Sequence, residues 1–286
     1  MNTIFAALST GAIYVIVAVA YNLVFAATGV FNFAQAQFVM LGTFVAYVGL
    51  VTFELPWVLV IVIGALIGAL VGFLEERLAI RPLQGLGFHG ELVTTLGVAV
   101  LLSGVAIVIW GTDPRPVGFG AHTILTLAGG RVFPAEIALI AIGIAVAVGA
   151  HLISSRTLFG ITNLAASEDR VAARLRGVNV LRLSVIAFAL AGAICVGVGP
   201  FVAAKTAATP NLGDILAIKG FVALAIGGFG SHKGALIGGL VAGLAEAFTA
   251  RFLGSTYQNL AVFVLLLVVL LTRPNGLFGE REQRVV

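Results

Sequence analysis

With 286 residues, 60% of them apolar and 10% charged, and a mean hydropathy of +1.14, the chain lacks the charged surface of a soluble domain, which carries about 25% charged residues. Apolar runs of about 20 residues match a bilayer core about 30 Å thick, so the composition implies one all-α, polytopic transmembrane domain over 1–286. The formal charge of +4 does not imply a nucleic-acid partner, because the basic residues lie in loops between the apolar runs.

The spans predicted in chain order are 4–27, 33–53, 56–74, 91–110, 134–153, 183–204, 213–229, 234–252 and 256–272. They number nine, or eight if one is re-entrant. The first run has no basic region before it and no small-residue cleavage site after it, and it is long enough to span, so it is expected to stay as a helix. Segment 111–133 is rich in Gly and Pro, and its short apolar run Ile124, Leu125, Leu127 predicts an ordered outer loop with a small hairpin. The loop over 154–182 carries Arg156, Arg170, Arg174, Arg176 and Arg182. If that loop is cytoplasmic, alternation puts 28–32, 75–90, 230–233 and the tail from 273 on the same side. Eleven Lys and Arg then lie inside against four outside, which predicts an outer N-terminus and a cytoplasmic C-terminus. The stretches "FVMLGTFVA" (38–46) and "GALIGGLVA" (234–242) are alike, and each follows a glycine-containing polar break. Duplicated halves with broken helices have this pattern, but small residues also recur wherever membrane helices pack closely. The topology gives both copies the same orientation.

Cys195 is the only cysteine, which excludes an intrachain disulfide. His89, His122, His151 and His232 are scattered with no pair at i, i+4, so no metal site is expected. "GGFGSHKGA" lacks the Gly-Lys-Ser/Thr order of a phosphate loop after a strand. No cofactor and no catalytic residue is expected in this chain.

Lys219 stands inside a span, where a charge costs at least about 2.5–3.5 kcal/mol. It must face a wet cavity, a partner or a route to the interface, and Asp214 is the expected mate of a snorkelled pair. Glu246 falls near the outer end of its span. Asn32, Gln35 and Gln37 at the first break either line a path or satisfy backbone groups that the break frees. Asn32, Gln35, Gln37 and Lys219 are therefore the candidate path residues.

The most charged stretch is "SEDRVAARLRGVN" (167–179). Ser167 is expected to cap a helix that begins at Glu168, with Glu168 and Asp169 at its positive end and Arg174 and Arg176 at its negative end. Gly177 supplies a left-handed stop. A helix of two to three turns with this much local order reads as a docking element rather than a plain topology loop. Its candidate coupling residues are Glu168, Asp169, Arg170, Ala173, Arg174, Arg176 and Gly177, with Ala173 expected to give a closely packed face to a partner.

Four motifs in order, "TGVFNFAQAQFVMLGTFVAY" (28–47), "SEDRVAARLRGVNV" (167–180), "GGFGSHKGALIGGLVAGLAE" (227–246) and "RPNGLFG" (273–279), make the chain resemble the inner-membrane permease subunits of branched-chain amino acid ABC transporters over essentially its whole length. The resemblance implies an importer of small apolar amino acids. It also implies three kinds of protein neighbour, a second permease subunit, two cytoplasmic ATP-binding subunits and an extracytoplasmic solute-binding protein, beside the membrane lipid that the apolar spans already require. Residues 167–180 then match the helix that couples the permease to an ATPase. Gln35, Ala36 and Gln37 depart from the His-Gly or Gly-Glu type of pair that family members often show, which leaves urea, short amides and aromatic acids as alternative solutes. The rival class is an ion-coupled secondary transporter or channel, for which Glu246 is the remote candidate acid.

Overall fold

In the computed structural model residues 2–83, 88–119, 125–127 and 130–279 are described. Its helices are α1 (Asn2–Thr28), α2 (Gln35–Ala46), α3 (Trp57–Glu75), α4 (Phe88–Trp110), α5 (Pro134–Arg156), α6 (Leu158–Glu168), α7 (Arg170–Leu175), α8 (Val180–Gly197), α9 (Gly199–Thr206), α10 (Leu212–Gly227), α11 (His232–Phe252) and α12 (Gln258–Thr272). α2 and α3 continue as π-helix to Thr52 and Ile80. The expected hairpin is present as β1 (Leu125–Leu127) and β2 (Gly130–Val132), paired antiparallel; Ile124 lies outside the described residues.

Among the described residues eight helices are long and apolar enough to cross a membrane. The span expected over 183–204 is divided: α8 ends at Gly197, and α9 opens with Pro200 in its first turn. Proline has no N–H to donate, so it is tolerated where a helix begins and not where one continues. The run at 213–229 becomes α10, 16 residues long, shorter than the roughly 20 a full crossing takes.

α1 is the axis of the bundle. Residues from Ile13 to Leu23 have at most 3% exposure, as expected of a helix apolar all round, and α5, α8, α10 and α11 surround it. α3, α4 and α12 lie outside and expose Leu66, Leu70, Val100, Val108, Leu267 and Leu271. Lipid tails solvate such faces, so close packing rather than hydrophobic burial must bring these helices together. Small residues supply it. α1 and α11 run antiparallel, and a Cβ on Gly11 would stand 2.9 Å from the Gly239 carbonyl oxygen. α3 and α8 also run antiparallel, with Gly64, Gly68 and Gly72 set against Val196, Gly192 and Phe188.

Hydrogen bonds sort the loops into two ends. Asn2 accepts from the Arg131 N–H at 2.9 Å, and Arg115 and Ala208 exchange two backbone bonds of 2.9 Å, so the start of α1, Arg115, Arg131 and the approach to α10 share one end. α6, α7 and the C-terminal segment occupy the other. There the Leu277 and Phe278 N–H groups donate to the Ile226 and Gly227 carbonyls, both at 2.9 Å. "RPNGLFG" thereby satisfies two carbonyls that α10 leaves open at its end, those of Ile226 and of Gly227, the first residue of "GGFG". The two similar stretches each follow a left-handed glycine: Gly29 (φ 70°) before α2, and Gly228 (φ 103°) and Gly230 (φ 81°) before α11.

Candidate coupling element and translocation path

Between α5 and α8 the chain makes an elbow capped at each corner. Thr157, extended at φ −109° and ψ 154°, accepts from the Gly160 N–H and starts α6. α6 runs through Ser167 to Glu168, so Ser167 is not the cap expected from the sequence; its hydroxyl donates back to the Leu164 carbonyl at 2.7 Å. Asp169 takes that role and accepts from Val171 and Ala172 N–H at 2.8 and 2.9 Å. A carboxylate serving two N–H groups at the positive end of a helix competes better than a neutral hydroxyl. Glu168 closes α6 instead of opening α7, and its side chain lies outside the described residues. α7 has six residues, less than the two to three turns expected.

Gly177 provides the expected stop at φ 85°. The Val178 N–H donates to Ala173 and the Gly177 N–H to Arg174, both at 3.0 Å, the paired bonds of a Schellman end. Asn179 then caps α8 by accepting from the Arg182 N–H at 3.1 Å.

Ala173 faces inward, contrary to its expected partner-facing position. It is 4% exposed and packs with Ala166, Val180 and Leu183. The outward face of α7 is Val171 and Leu175, at 67% and 84% exposure, with Arg174 and Arg176 exposed beside them. Their i, i+4 spacing puts Val171 and Leu175 on one stripe. Arg170 turns back instead, and its guanidinium donates to the Ala27 carbonyl at 2.9 Å, joining α7 to the last turn of α1. Burial pulls this guanidinium below its ordinary pKa, and neighbouring Glu91 opposes the shift. Arg170, Arg174, Glu91 and Arg81 border an open cavity of about 1000 Å³ at this end.

The path candidates at the first break are buried to within 1%, and each ties the start of α2 to a different helix. Asn32 donates to Glu75 of α3 at 2.9 Å, Gln35 to the Cys195 sulfur of α8 at 3.4 Å, and Gln37 to Asp214 of α10 at 2.6 Å. Asn32 also accepts from the Ala34 N–H at 3.0 Å, so it does satisfy a backbone group freed by the break. Glu75 is a residue that reading the sequence missed. The loop expected over 75–90 includes it, although it directly continues an apolar run, and that continuity is the available signal.

Lys219 does not pair with Asp214. Five residues along a helix turn about 140° around its axis, which points the two side chains to different neighbours. Lys219 Nζ meets Glu246 Oε1 of α11 at 2.6 Å, and Glu246 Oε2 accepts from the Tyr14 hydroxyl of α1 at 2.5 Å. One charged triad thus joins α1, α10 and α11. A second pair, Lys205 with Glu136 at 2.8 Å, has Ser9 accepting from the same ammonium at 2.7 Å and ties α9, α5 and α1 at the N-terminal end. His232 shares a 2.8 Å hydrogen bond with Ser154, while His122 and the His89 side chain lie outside the described residues. Among the described residues no group of three or more His, Cys, Asp or Glu is placed to hold a metal ion.

The family model for the permease component of branched-chain amino acid transport systems matches residues 3–272. The high-affinity branched-chain amino acid transport system permease protein BraD of Pseudomonas aeruginosa is 27% identical over 289 residues, which covers 96% of this chain and 94% of BraD. The corresponding LivH protein of Salmonella typhimurium is 29% identical, with 99% and 96% covered. The ribose import permease protein RbsC of Haemophilus influenzae is 28% identical over a shorter stretch, 78% of this chain and 70% of its own. A single all-α bundle matched along nearly its full length by the same family leaves one assignment: the chain belongs to the permease components of branched-chain amino acid transport systems.

Proposed function

We propose that the chain is the membrane subunit of an ATP-driven importer that carries branched-chain or other small apolar amino acids inward across a bacterial inner membrane. It works with a second permease subunit, two cytoplasmic ATP-binding subunits and an extracytoplasmic solute-binding protein, and its N-terminus lies outside. The α6–α7 elbow is the observation that carries the reading. A helix too short to be stable alone is capped at both ends, packed on the bundle through Ala173, and leaves two aliphatic side chains and two arginines exposed. Force applied there reaches α1 through Arg170 and α5 through α6. The relatives' names, BraD and LivH, support the amino acid as solute. Against ion coupling through Glu246, the candidate acid, its carboxylate already holds Lys219 and Tyr14 within the fold.

Purified alone into liposomes, the chain is expected neither to hydrolyse ATP nor to accumulate leucine under a proton or sodium gradient. Uptake should require the ATP-binding subunits, ATP and the solute-binding protein together. Gradient-driven uptake by the single chain would establish the secondary transporter instead.

Orientation is a separate expectation. Gly118 and Ser167 are both exposed at opposite ends of the bundle. Cysteine at Gly118 should react with an impermeant thiol reagent applied to intact cells, and cysteine at Ser167 only after the inner membrane is opened. The reverse pattern would turn the topology over.

A further inference from the structure

The Lys219–Glu246 pair differs from the other buried polar contacts in where it stands. Both side chains keep slight exposure, 13% and 12%, and a cavity opens on each. An open pocket of about 610 Å³ at the N-terminal end of the bundle is lined by Thr3, Thr10, Arg251, Gln258 and Glu246 together with small apolar residues. A smaller, partly open pocket of about 110 Å³ between α10 and α12 borders Lys219; Val222 and Val262 form its buried floor, and Ile215, Ile218 and Phe263 its half-exposed rim. Glu246 lines the first and Lys219 the second, so the ion pair stands between them.

An ion pair in an apolar setting is poor stabilisation, since its desolvation offsets most of its attraction, which leaves room for another role. Opening it would strand two charges unless the solute brought one of each sign. An α-amino acid does, with both on one carbon. Its ammonium can take the place of Lys219 at Glu246 and its carboxylate the place of Glu246 at Lys219, so one ion pair is exchanged for two. An amine, a carboxylic acid or an inorganic ion would leave one protein charge uncompensated. Tyr14 holds Glu246 by Oε2, which leaves Oε1 as the oxygen to be exchanged, and the Lys219 ammonium lies 5.6 Å from the centre of the Tyr14 ring. Aliphatic walls beside Lys219 then receive an aliphatic side chain.

From this the geometry points to Lys219 and Glu246 as the gate and binding site for the zwitterionic head of the transported amino acid, with its branched side chain seated against Ile218, Val262 and Phe263. The inference rests on the import reading above and assigns that reading its solute site.

The test uses the complete transporter in proteoliposomes. Exchanging the charges, Lys219→Glu with Glu246→Lys, rebuilds the ion pair between the same helices, so a mere brace would regain uptake. A binding site would not, because the zwitterion must enter reversed with its side chain aimed away from the smaller pocket. Leucine uptake is expected to fall about tenfold or more, with membrane accumulation and co-purification with the ATP-binding subunits retained. Wild-type uptake by the exchanged pair, or its failure to accumulate or assemble, marks the pair as a brace and overturns the site. In a second measurement, cysteine at Ile218 reports occupancy: leucine should slow its alkylation, while 4-methylpentanoate and 3-methylbutylamine, each lacking one charge, should not at equal concentration. Equal protection by the singly charged analogues, or none by leucine, overturns the site. Absence of any amino acid uptake by the unaltered transporter would defeat the import reading and the site with it, whereas uptake that survives charge exchange defeats the site alone.

Discussion

Replacing Val171 and Leu175 with aspartate should abolish leucine uptake by the assembled transporter while leaving the chain inserted and folded. Both side chains are mostly exposed, so the free permease loses little, on the scale of about 0.5 kcal/mol for a surface change. Against a partner the balance differs. Each aliphatic side chain buried on docking is worth about 1.5–3 kcal/mol, and each carboxylate placed there adds a desolvation cost. Loss of the pair should weaken capture of the ATP-binding subunits by about 100-fold or more, since every 1.4 kcal/mol is a factor of ten. Co-purification and uptake read the two consequences. Ala173→Trp, by contrast, should damage the elbow itself, because the bulk is forced among Ala166, Val180 and Leu183. Normal uptake and retention in the double aspartate variant would reduce α7 to a solvated turn and remove the main structural support for ATP-driven import.

Gly68→Leu is expected to be the most damaging single change in the bundle. A Cβ at Gly68 would collide with the Gly192 carbonyl, and one at Gly192 with the Gly68 carbonyl, so the α3–α8 crossing is closed from both sides. Overpacking typically costs about 1–3 kcal/mol where side chains can shift. Here backbone meets backbone, and relief requires moving whole helices, which puts the cost at the top of that range or above. Gly97→Leu and Gly104→Leu on α4 are the controls: nothing lies within 4 Å of either Cβ position, and both residues are exposed. In detergent the Gly68 variant should melt well below wild type and accumulate poorly, with both controls close to wild type. Equal melting of the Gly68 and Gly97 variants would show that the α3–α8 contact is not tight.

The elbow shows how far local chemistry can be read. Gly177 was legible as a helix stop because a left-handed residue is a local requirement. The starting cap was misplaced by two residues, from Asp169 to Ser167, because either side chain can cap a helix and the choice depends on where α6 ends. The inward turn of Ala173 was not legible, since six residues carry too little pattern to tell which side faces the bundle.

Hydropathy is a sum over neighbours along the chain, so the membrane class, the approximate spans and the grouping of loops at two ends were all legible from residue order. α1 and α4 read alike on that measure, yet 67% of the apolar window in α1 is buried against 17% in α4. In a bilayer an apolar side chain is at home against lipid or protein alike, so no polar stripe marks the buried face. That α1 is the axis, that α10 stops short of a full crossing, and that Lys219 answers to Glu246 rather than to Asp214 emerge from helix packing alone. Those outcomes depend on which helices approach within a few ångströms, and residues 14, 219 and 246 have no sequence proximity that could announce it.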